Sequence, residues 1–369
     1  MKLQPALKYK IKQVLFITVC WVILGVFIEL YNAVNYDPAT GMHFLYFIFG
    51  NNGWQHILIT AIGPFLGGLV GGSFIVFYQR EKIKGKTYGQ KLLIHTLLYC
   101  FFLVIFILLV GIIGAINNKA DGSFFSKLYS DIFSLRVLRL LFIWYFILIA
   151  TVFLLDVSET YGTTRLKKLI LGKYYAPATD ERIFMFIDLR SSTTIAEQIG
   201  EERFFKMLRF YYELANEAVL NNYGEIYQYV GDEIVISWEK TVGLKNANCL
   251  NCFFSVKKII DDNAEIFKRN FNVIPEFKAA LHSGVVATGE IGTVKKDIVY
   301  LGDVLNTTAR IIALCNHYGK SLMISGKLYQ EMVNVQGYEF HFVDAPVLRG
   351  KKEKISLYEV RPAHKTLPV

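Results

Sequence analysis

An all-α transmembrane bundle of four helices followed by an α+β domain is the architecture this sequence predicts. Three observations carry the prediction. The 369-residue chain is 53% hydrophobic and only 19% charged, where soluble domains carry about 25% charge, and its mean hydropathy is +0.34. The strongly apolar runs all fall before residue 157. From Pro177 onward, short β-type runs alternate with helical ones. The boundaries read as a transmembrane domain over 1–156, a helical linker over 157–178 and a second domain over 179–369.

Taking the elements in order, the apolar runs cover residues 13–27, 53–79, 92–116 and about 140–155. Each can supply the ~20 residues that a helix needs to cross ~30 Å of hydrocarbon. A cleaved leader explains the first run poorly, because no small-residue cleavage site follows it. Lys2, Lys8, Lys10 and Lys12 precede the first run, and Arg80, Lys82, Lys84, Lys86 and Lys91 lie between the second and third. These basic flanks place the N-terminus, and with an even number of spans the C-terminal half, in the cytoplasm of a multi-pass protein of the cell membrane. Arg136 and Arg139, on the outer side of the fourth span, run against the rule. Residues 44–49 read as an interfacial or re-entrant piece. Gly67, Gly68, Gly71 and Gly72 form two overlapping small-xxx-small pairs suited to close helix packing. His56 and His95 read as interfacial polar residues rather than haem ligands. No span carries a row of acids and bases, so an anchor or receptor fits the bundle better than a transporter.

The net charge of +9 follows from the cytoplasmic flanks. No nucleic-acid motif accompanies it, so no nucleic-acid partner is expected. The five cysteines are an odd number, and two of them lie in apolar runs, which excludes a secreted disulfide framework. Cys249 and Cys252 form a CxxC with no second pair, so packing on a helix is preferred over zinc.

In the second domain, strands are expected over 183–187, 226–230, 234–238 and 277–282. Helices are expected over 195–220 and 244–270, covering one face of a sheet. Gly231-Asp232 marks a tight hairpin turn between two apolar strands. An upstream apolar strand stops on Asp188. A strand end beside a hairpin tip would bring Asp188 and Asp232 together, and their repulsion calls for a cation. Oxygen ligands alone make Mg²⁺ or Mn²⁺ the natural choice. Further on, Asn306 and Arg310 lie one helical turn apart, an amide and a guanidinium suited to a sugar hydroxyl and a phosphoryl group.

The three segments Phe-Ile-Asp188-Leu-Arg-Ser-Ser-Thr, Tyr-Val-Gly-Asp232-Glu and Leu-Gly-Asp-Val-Leu-Asn306-Thr-Thr-Ala-Arg310 follow one another at spacings of about 44 and 74 residues. Together they resemble the class III nucleotidyl cyclases, the adenylate/guanylate cyclase family, over residues 181–360. The resemblance implies a ferredoxin-like βαββαβ catalytic domain working as a head-to-tail homodimer with shared sites. It implies two Mg²⁺ or Mn²⁺ ions per site, held by Asp188, Asp232 and a main-chain carbonyl near Ile187. It assigns ribose orientation to Asn306, stabilisation of the α-phosphate to Arg310, and phosphate binding to Lys351 in Leu-Arg-Gly-Lys351-Lys. The implied reaction is attack of the ribose 3′-hydroxyl of ATP on its own α-phosphorus, giving cyclic AMP and pyrophosphate in signal transduction.

The base-reading positions depart from the family pattern. Adenylate cyclases usually carry Lys, and guanylate cyclases Glu, where this chain has Gln228. Asp or Thr is usual where it has Val299. Gln can donate or accept and Val can do neither, so a guanylate cyclase and a silent dimerising module stay open beside the ATP reading. Asp297, two positions from Val299, is a conceivable substitute. The signatures of diguanylate cyclases are absent.

Overall fold

The computed structural model describes residues 4–35, 53–79, 82–83, 86–117, 135–162, 172, 176–294 and 296–363. The chain divides into two compact units, Leu7–Lys167 in one and Met1–Ala6 with Lys168–Val369 in the other.

The first unit contains the helices α1 (Pro5–Asn35), α2 (Gly53–Ser73), α3 (Tyr88–Asn117) and α4 (Leu135–Tyr161). Among the described residues, Pro5–Ile28, Ala61–Tyr78 and Leu141–Ser158 are long and apolar enough to cross a membrane. The span expected over 92–116 lies on the 30-residue α3, where the side chains of 106–117 fall outside the described residues. The interfacial piece expected at 44–49 also lies outside them, as does most of the expected linker beyond residue 162. Small residues let α1 and α2 approach closely: a Cβ on Gly68 would stand 2.7 Å from Thr18 Cα. Trp21 Nε1 donates to Thr151 Oγ1 at 3.0 Å, tying α1 to α4. Lys91 and Asp156 pair at 2.8 Å, tying α3 to α4. His95 is buried, with Nδ1 2.6 Å from the Lys91 carbonyl oxygen.

The second unit runs β1 (Ala178–Leu189), α5 (Ser192–Ile199), α6 (Glu201–Asn221), β2 (Glu225–Val230), β3 (Glu233–Glu239), α7 (Lys240–Leu244), α8 (Asn248–Asp262), α9 (Ala264–Phe271) and β4 (Phe277–Ile291). It continues with β5 (Asp297–Leu301), α10 (Asp303–His317), β6 (Leu322–Ser325), α11 (Gly326–Met332), β7 (Tyr338–Asp344) and β8 (Leu357–Pro362). The sheet order is β2-β3-β1-β4-β6-β8-β7, with β5 paired to β4. Its first four strands, antiparallel in the order β2-β3-β1-β4, have the ferredoxin-like βαββαβ connectivity. The parallel β4–β6 pair makes the whole sheet mixed.

Two of the expected helices are each broken in two. The first is divided at Gly200, whose φ of 82° only glycine adopts cheaply. The second is divided at Asn263, whose side chain turns back to donate to the Ile259 carbonyl.

The expectation of a sheet covered on one face is corrected. Ile183, Met185 and Ile187 of β1 pack with Met207, Tyr211 and Ala215 of α6 and with α8. Phe184 and Phe186 point the other way, into a second core with Val304, Ile311 and Cys315 of α10. The physical signal was present in β1, where residues 183–187 are apolar without alternation. An unbroken apolar run is what a strand buried on both faces requires.

Near the end of α7, Gly243 is pressed against the first core. A Cβ there would come within 2.9 Å of both Ile183 Cδ1 and Trp238 Cβ. Gly243→Ala is expected to lose about 1–3 kcal/mol of stability through overpacking, measured by denaturation of the purified protein; an unchanged midpoint would show that the core yields freely.

Candidate active site

The strand β1 delivers Asp188 to the rim of the sheet. In register, Asp188 stands opposite Glu233 on β3 and Lys278 on β4. The hairpin β2–β3 closes through Gly231 and Asp232, with Gly231 at φ 60°. This brings the Asp232 carboxylate close enough to Asp188 to act directly on it. Burial pushes the Asp188 carboxyl up. The hydrogen bond from Lys278 opposes this, and the charge of Asp232 adds to it. Lys278 Nζ lies 3.0 Å from Asp188 Oδ2. Burial, with Asp188 and Asp232 alongside, pushes Glu233 up to about 7.

A second layer of contacts holds the turn. Tyr212 on α6 donates its hydroxyl to the Gly231 carbonyl at 2.6 Å, and its ring packs 4.5 Å from that of Tyr229. Tyr229 in turn donates to Asn216 Oδ1 at 2.7 Å. Burial and the nearby Asp232 push the Tyr212 phenol up to about 12, so it remains a neutral donor at physiological pH.

The residues at this rim fit a divalent cation. Carboxylates crowded in a partly dehydrated place, with Lys278 as the neighbouring positive charge, lack compensation that a hard cation provides. Among the described residues, no group of three or more His, Cys, Asp and Glu side chains could hold a metal. Ile187 buries its side chain in the first core, leaving only its main chain to serve the rim.

A second cluster forms at the start of α10. Asn306 is exposed, and Arg310 stands one turn further on, half-buried. The guanidinium of Arg310 lies against Gly350, where a Cβ would meet Nη2 at 3.4 Å. Lys351 pairs with Asp303 Oδ2, which also accepts from Thr307 Oγ1 at 3.1 Å. This partner of Lys351 was not anticipated from the sequence. His282 Nδ1 lies 2.7 Å from Ser325 Oγ. Burial pushes the His282 imidazole down to about 4, with Lys327 and Lys351 pressing the same way.

Within one chain the two clusters stay apart. The far end of α10 sits by the carboxylate rim, with Cys315 Sγ 3.5 Å from the Ala279 carbonyl oxygen. Asn306 is nine residues back along the helix, ~14 Å at 1.5 Å per residue. Along β4, Lys278 and His282 are four residues apart, ~13 Å.

The two positions expected to read the base lie on β2 and β5, strands that do not pair with one another. Gln228 is exposed on β2, just after a register shift that begins at Ile226. Val299 is half-buried on β5, opposite Gly289. Their neighbours are joined: the Tyr300 amide donates to Tyr227 Oη at 3.3 Å, and the rings lie 4.9 Å apart. Asp297 accepts the adjacent Ile298 amide at 2.8 Å. Cys249 and Cys252 are fully buried in the first core, and burial pushes the Cys249 thiol up to about 12, the state of an inert packing residue.

Sequence reasoning missed Lys278, Tyr212 and Glu233. Lys278 could have been found, because it is a lone charge inside the apolar strand Phe277-Lys-Ala-Ala-Leu. Tyr212 could not, since its contact with the turn exists only once α6 is packed.

His282 makes stability depend on pH. Between the ordinary pKa of ~6.5 and the folded value of about 4, the unfolded chain takes up a proton that the folded chain refuses. Stability present at neutral pH is therefore lost as the pH falls through this window, by as much as ~3 kcal/mol. His282→Gln should flatten the decline of the denaturation midpoint between pH 7 and pH 5; an equal slope in both proteins would remove the assignment.

Comparisons with known proteins identify the family. The family model described as the adenylate and guanylate cyclase catalytic domain matches residues 174–361, just over half of the chain. Over 181 residues the chain is 35% identical to adenylate cyclase 2 of Rhizobium meliloti (strain 1021), covering 49% of this chain and 50% of that protein. Over 193 residues it is 25% identical to an adenylate cyclase of Anabaena cylindrica, covering 50% and 38%. The chain thus spans half or less of the length of these curated relatives. Among solved structures, the adenylyl cyclase CyaB from P. aeruginosa superposes with a TM-score of 0.46 at 16% identity, covering 52% of this chain and 100% of that one. Through residues 174–361, the chain belongs to the adenylate and guanylate cyclase catalytic domain family.

Proposed function

We propose that the protein is a membrane-anchored adenylate cyclase that converts ATP to cyclic AMP and pyrophosphate at sites shared between two copies of the chain. The observation that carries this reading is the meeting of Asp188 and Asp232 at one rim, with Lys278 as the neighbouring cation. Asp188, Asp232 and the main chain at Ile187 would hold the two Mg²⁺ or Mn²⁺ ions. Bound there, the ions lower the pKa of the ribose 3′-hydroxyl and neutralise phosphate charge. Lys278 adds positive charge at the same rim. Asn306 orients the ribose, Arg310 stabilises the charge that builds on the α-phosphoryl oxygens, and Lys351 binds the outgoing pyrophosphate. The 3′-oxygen forms its bond to the α-phosphorus as the bond to the bridging oxygen breaks. Positioning and fixed charge account for the chain's share of the rate.

The separation of the two clusters supports a dimer. A single chain offers the carboxylates at one end of α10 and Asn306 at the other, so a head-to-tail partner is the economical way to complete a site. Val285, Ile291, Val294 and Leu301 on and around the β4–β5 hairpin are exposed apolar residues suited to such an interface. The choice of ATP rests on the two relatives named adenylate cyclases. Four spans, with α3 as the third in chain order, would put the N-terminus and the catalytic unit on the cytoplasmic side, with residues 157–178 linking the two domains.

Incubation of the purified protein with Mg²⁺ or Mn²⁺ and either ATP or GTP, with the product identified by mass, tests the reading directly. Cyclic AMP is expected; cyclic GMP alone would move the assignment to guanylate cyclase, and no cyclic product would sink it.

Asp188→Asn and Arg310→Ala are each expected to lower turnover by about 10²–10³-fold or more. Co-expressed, they should recover roughly a quarter of wild-type activity, because half of randomly paired dimers are mixed and each has one intact site. Heterodimers that form without any recovery would exclude shared sites.

Lys278→Ala is expected to weaken nucleotide binding and lower turnover by about 10–100-fold, as loss of one charge contact to phosphate would. Steady-state kinetics with saturating Mn²⁺ separate these effects; unchanged constants would confine Lys278 to a structural role.

A further inference from the structure

Arg182 is fully buried on β1, six residues before Asp188, and its guanidinium is only partly satisfied. Nη2 donates to Glu225 Oε2 at 2.8 Å and to Ser237 Oγ at 3.0 Å. Nε and Nη1 are buried with no hydrogen-bond partner among the described residues. The guanidinium carbon lies 4.9 Å from the centroid of the Tyr300 ring. One side chain therefore reaches β2 through Glu225, β3 through Ser237 and β5 through Tyr300.

This is an expensive way to join strands. A well-packed apolar side chain of similar volume generally stabilises such a place as well or better, without dehydrating a charge. A guanidinium can, however, bind a carboxylate in fixed geometry while lying against an aromatic ring. Its two anchor points are informative. Glu225 lies three residues before Gln228 on β2, and the register shift of that strand falls between Ile226 and Gln228. Such irregularities re-aim side chains, so the anchor at Glu225 fixes the strand just before the turn in its course. Tyr300 adjoins Val299 on β5, and its amide bonds Tyr227. Gln228 can offer a purine a donor or an acceptor, and Val299 can offer neither. Discrimination between a 6-amino and a 6-oxo purine therefore falls to how the Gln228 amide is held and to the main chain of β5, both of which depend on the spacing of the two strands.

We infer that Arg182 is a positioning residue for base selectivity: by clamping Glu225 and Tyr300 it sets the distance between Gln228 and the β5 backbone, and so the preference between adenine and guanine nucleotides. The inference rests on the nucleotidyl cyclase reading.

The test uses the full-length protein and the variants Arg182→Met, Arg182→Lys and Tyr300→Leu. Three quantities are measured: kcat/KM for ATP and for GTP, displacement of a fluorescent ATP analogue by ATP and by GTP, and inhibition by inorganic pyrophosphate, which carries no base. Arg182→Met is expected to lower kcat/KM for the preferred nucleotide at least tenfold, mainly through KM. It should also move the ATP:GTP ratio toward one in both turnover and displacement, with pyrophosphate inhibition changed less than twofold. Arg182→Lys should fail to rescue, because it keeps the charge but lacks the planar fork. Tyr300→Leu removes the ring without unpairing a buried charge, and it should shift the ratio the same way if Arg182→Met does not fold. A ratio unchanged in the folded variants, or a parallel loss of pyrophosphate binding, overturns the inference. If the wild type makes no cyclic nucleotide, the cyclase reading fails, while the displacement ratios still decide whether Arg182 governs base preference.

Discussion

Crowding of negative charge at the rim of a sheet is the constraint on which the catalytic unit depends. Asp188 and Asp232 arrive there from different parts of the chain, and neither is neutralised by its own strand. Burial and mutual repulsion both oppose ionisation of Asp188, and the bond from Lys278 only partly answers them. Left alone this arrangement costs stability, because buried charges without full compensation are unfavourable. Its persistence makes sense if charge from outside completes it. The surrounding structure is arranged to prevent relaxation: Tyr212 fastens the Gly231 carbonyl, and β1 is locked on both sides by β3 and β4.

The same logic explains why β1 is apolar without a break over residues 183–187. A strand that must hold a carboxylate in place cannot slip by one residue, since a slip would exchange the two faces. With Ile183, Met185 and Ile187 in one core and Phe184 and Phe186 in the other, slippage would misplace large side chains on both sides at once. The register that fixes Asp188 opposite Lys278 is therefore enforced by packing over the whole strand, and the chemistry inherits its precision from the core.

What could be read in the sequence follows from this division. Features written in contiguous residues were legible: the apolar runs of the N-terminal unit, the Gly231-Asp232 turn, the carboxylate ending β1, and the Asn306/Arg310 pair one turn apart. Features created by packing were not. The second core, behind Phe184 and Phe186, needs α10 to fold over β1, a strand more than a hundred residues upstream. Lys278 reaches Asp188, and Arg182 reaches Tyr300, only through strand pairing. Lys351 was found from its local segment, yet its partner Asp303, 48 residues away, was not. Helix breaks at Gly200 and Asn263 were missed because hydrophobic periodicity continues through both positions.

The placement of positive charge completes the argument. Arg310, Lys351 and Lys327 gather around the first turns of α10, where His282 is kept neutral by burial and by the nearby ammonium groups. Were His282 charged, it would repel Lys327 and Lys351. Kept neutral, it holds Ser325, which in turn caps α11 by accepting the Leu328 amide at 3.3 Å. The basic cluster is thus built with a neutral imidazole at its base, and the acidic cluster with a single lysine among carboxylates. The carboxylates stand by one end of α10, with Lys278 and Arg190 nearby, and Arg310 and Lys351 stand by the other, separated by a helix too long for the two groups to meet in one chain. A polyphosphate bridged by cations would be a ligand that matches both groups at once.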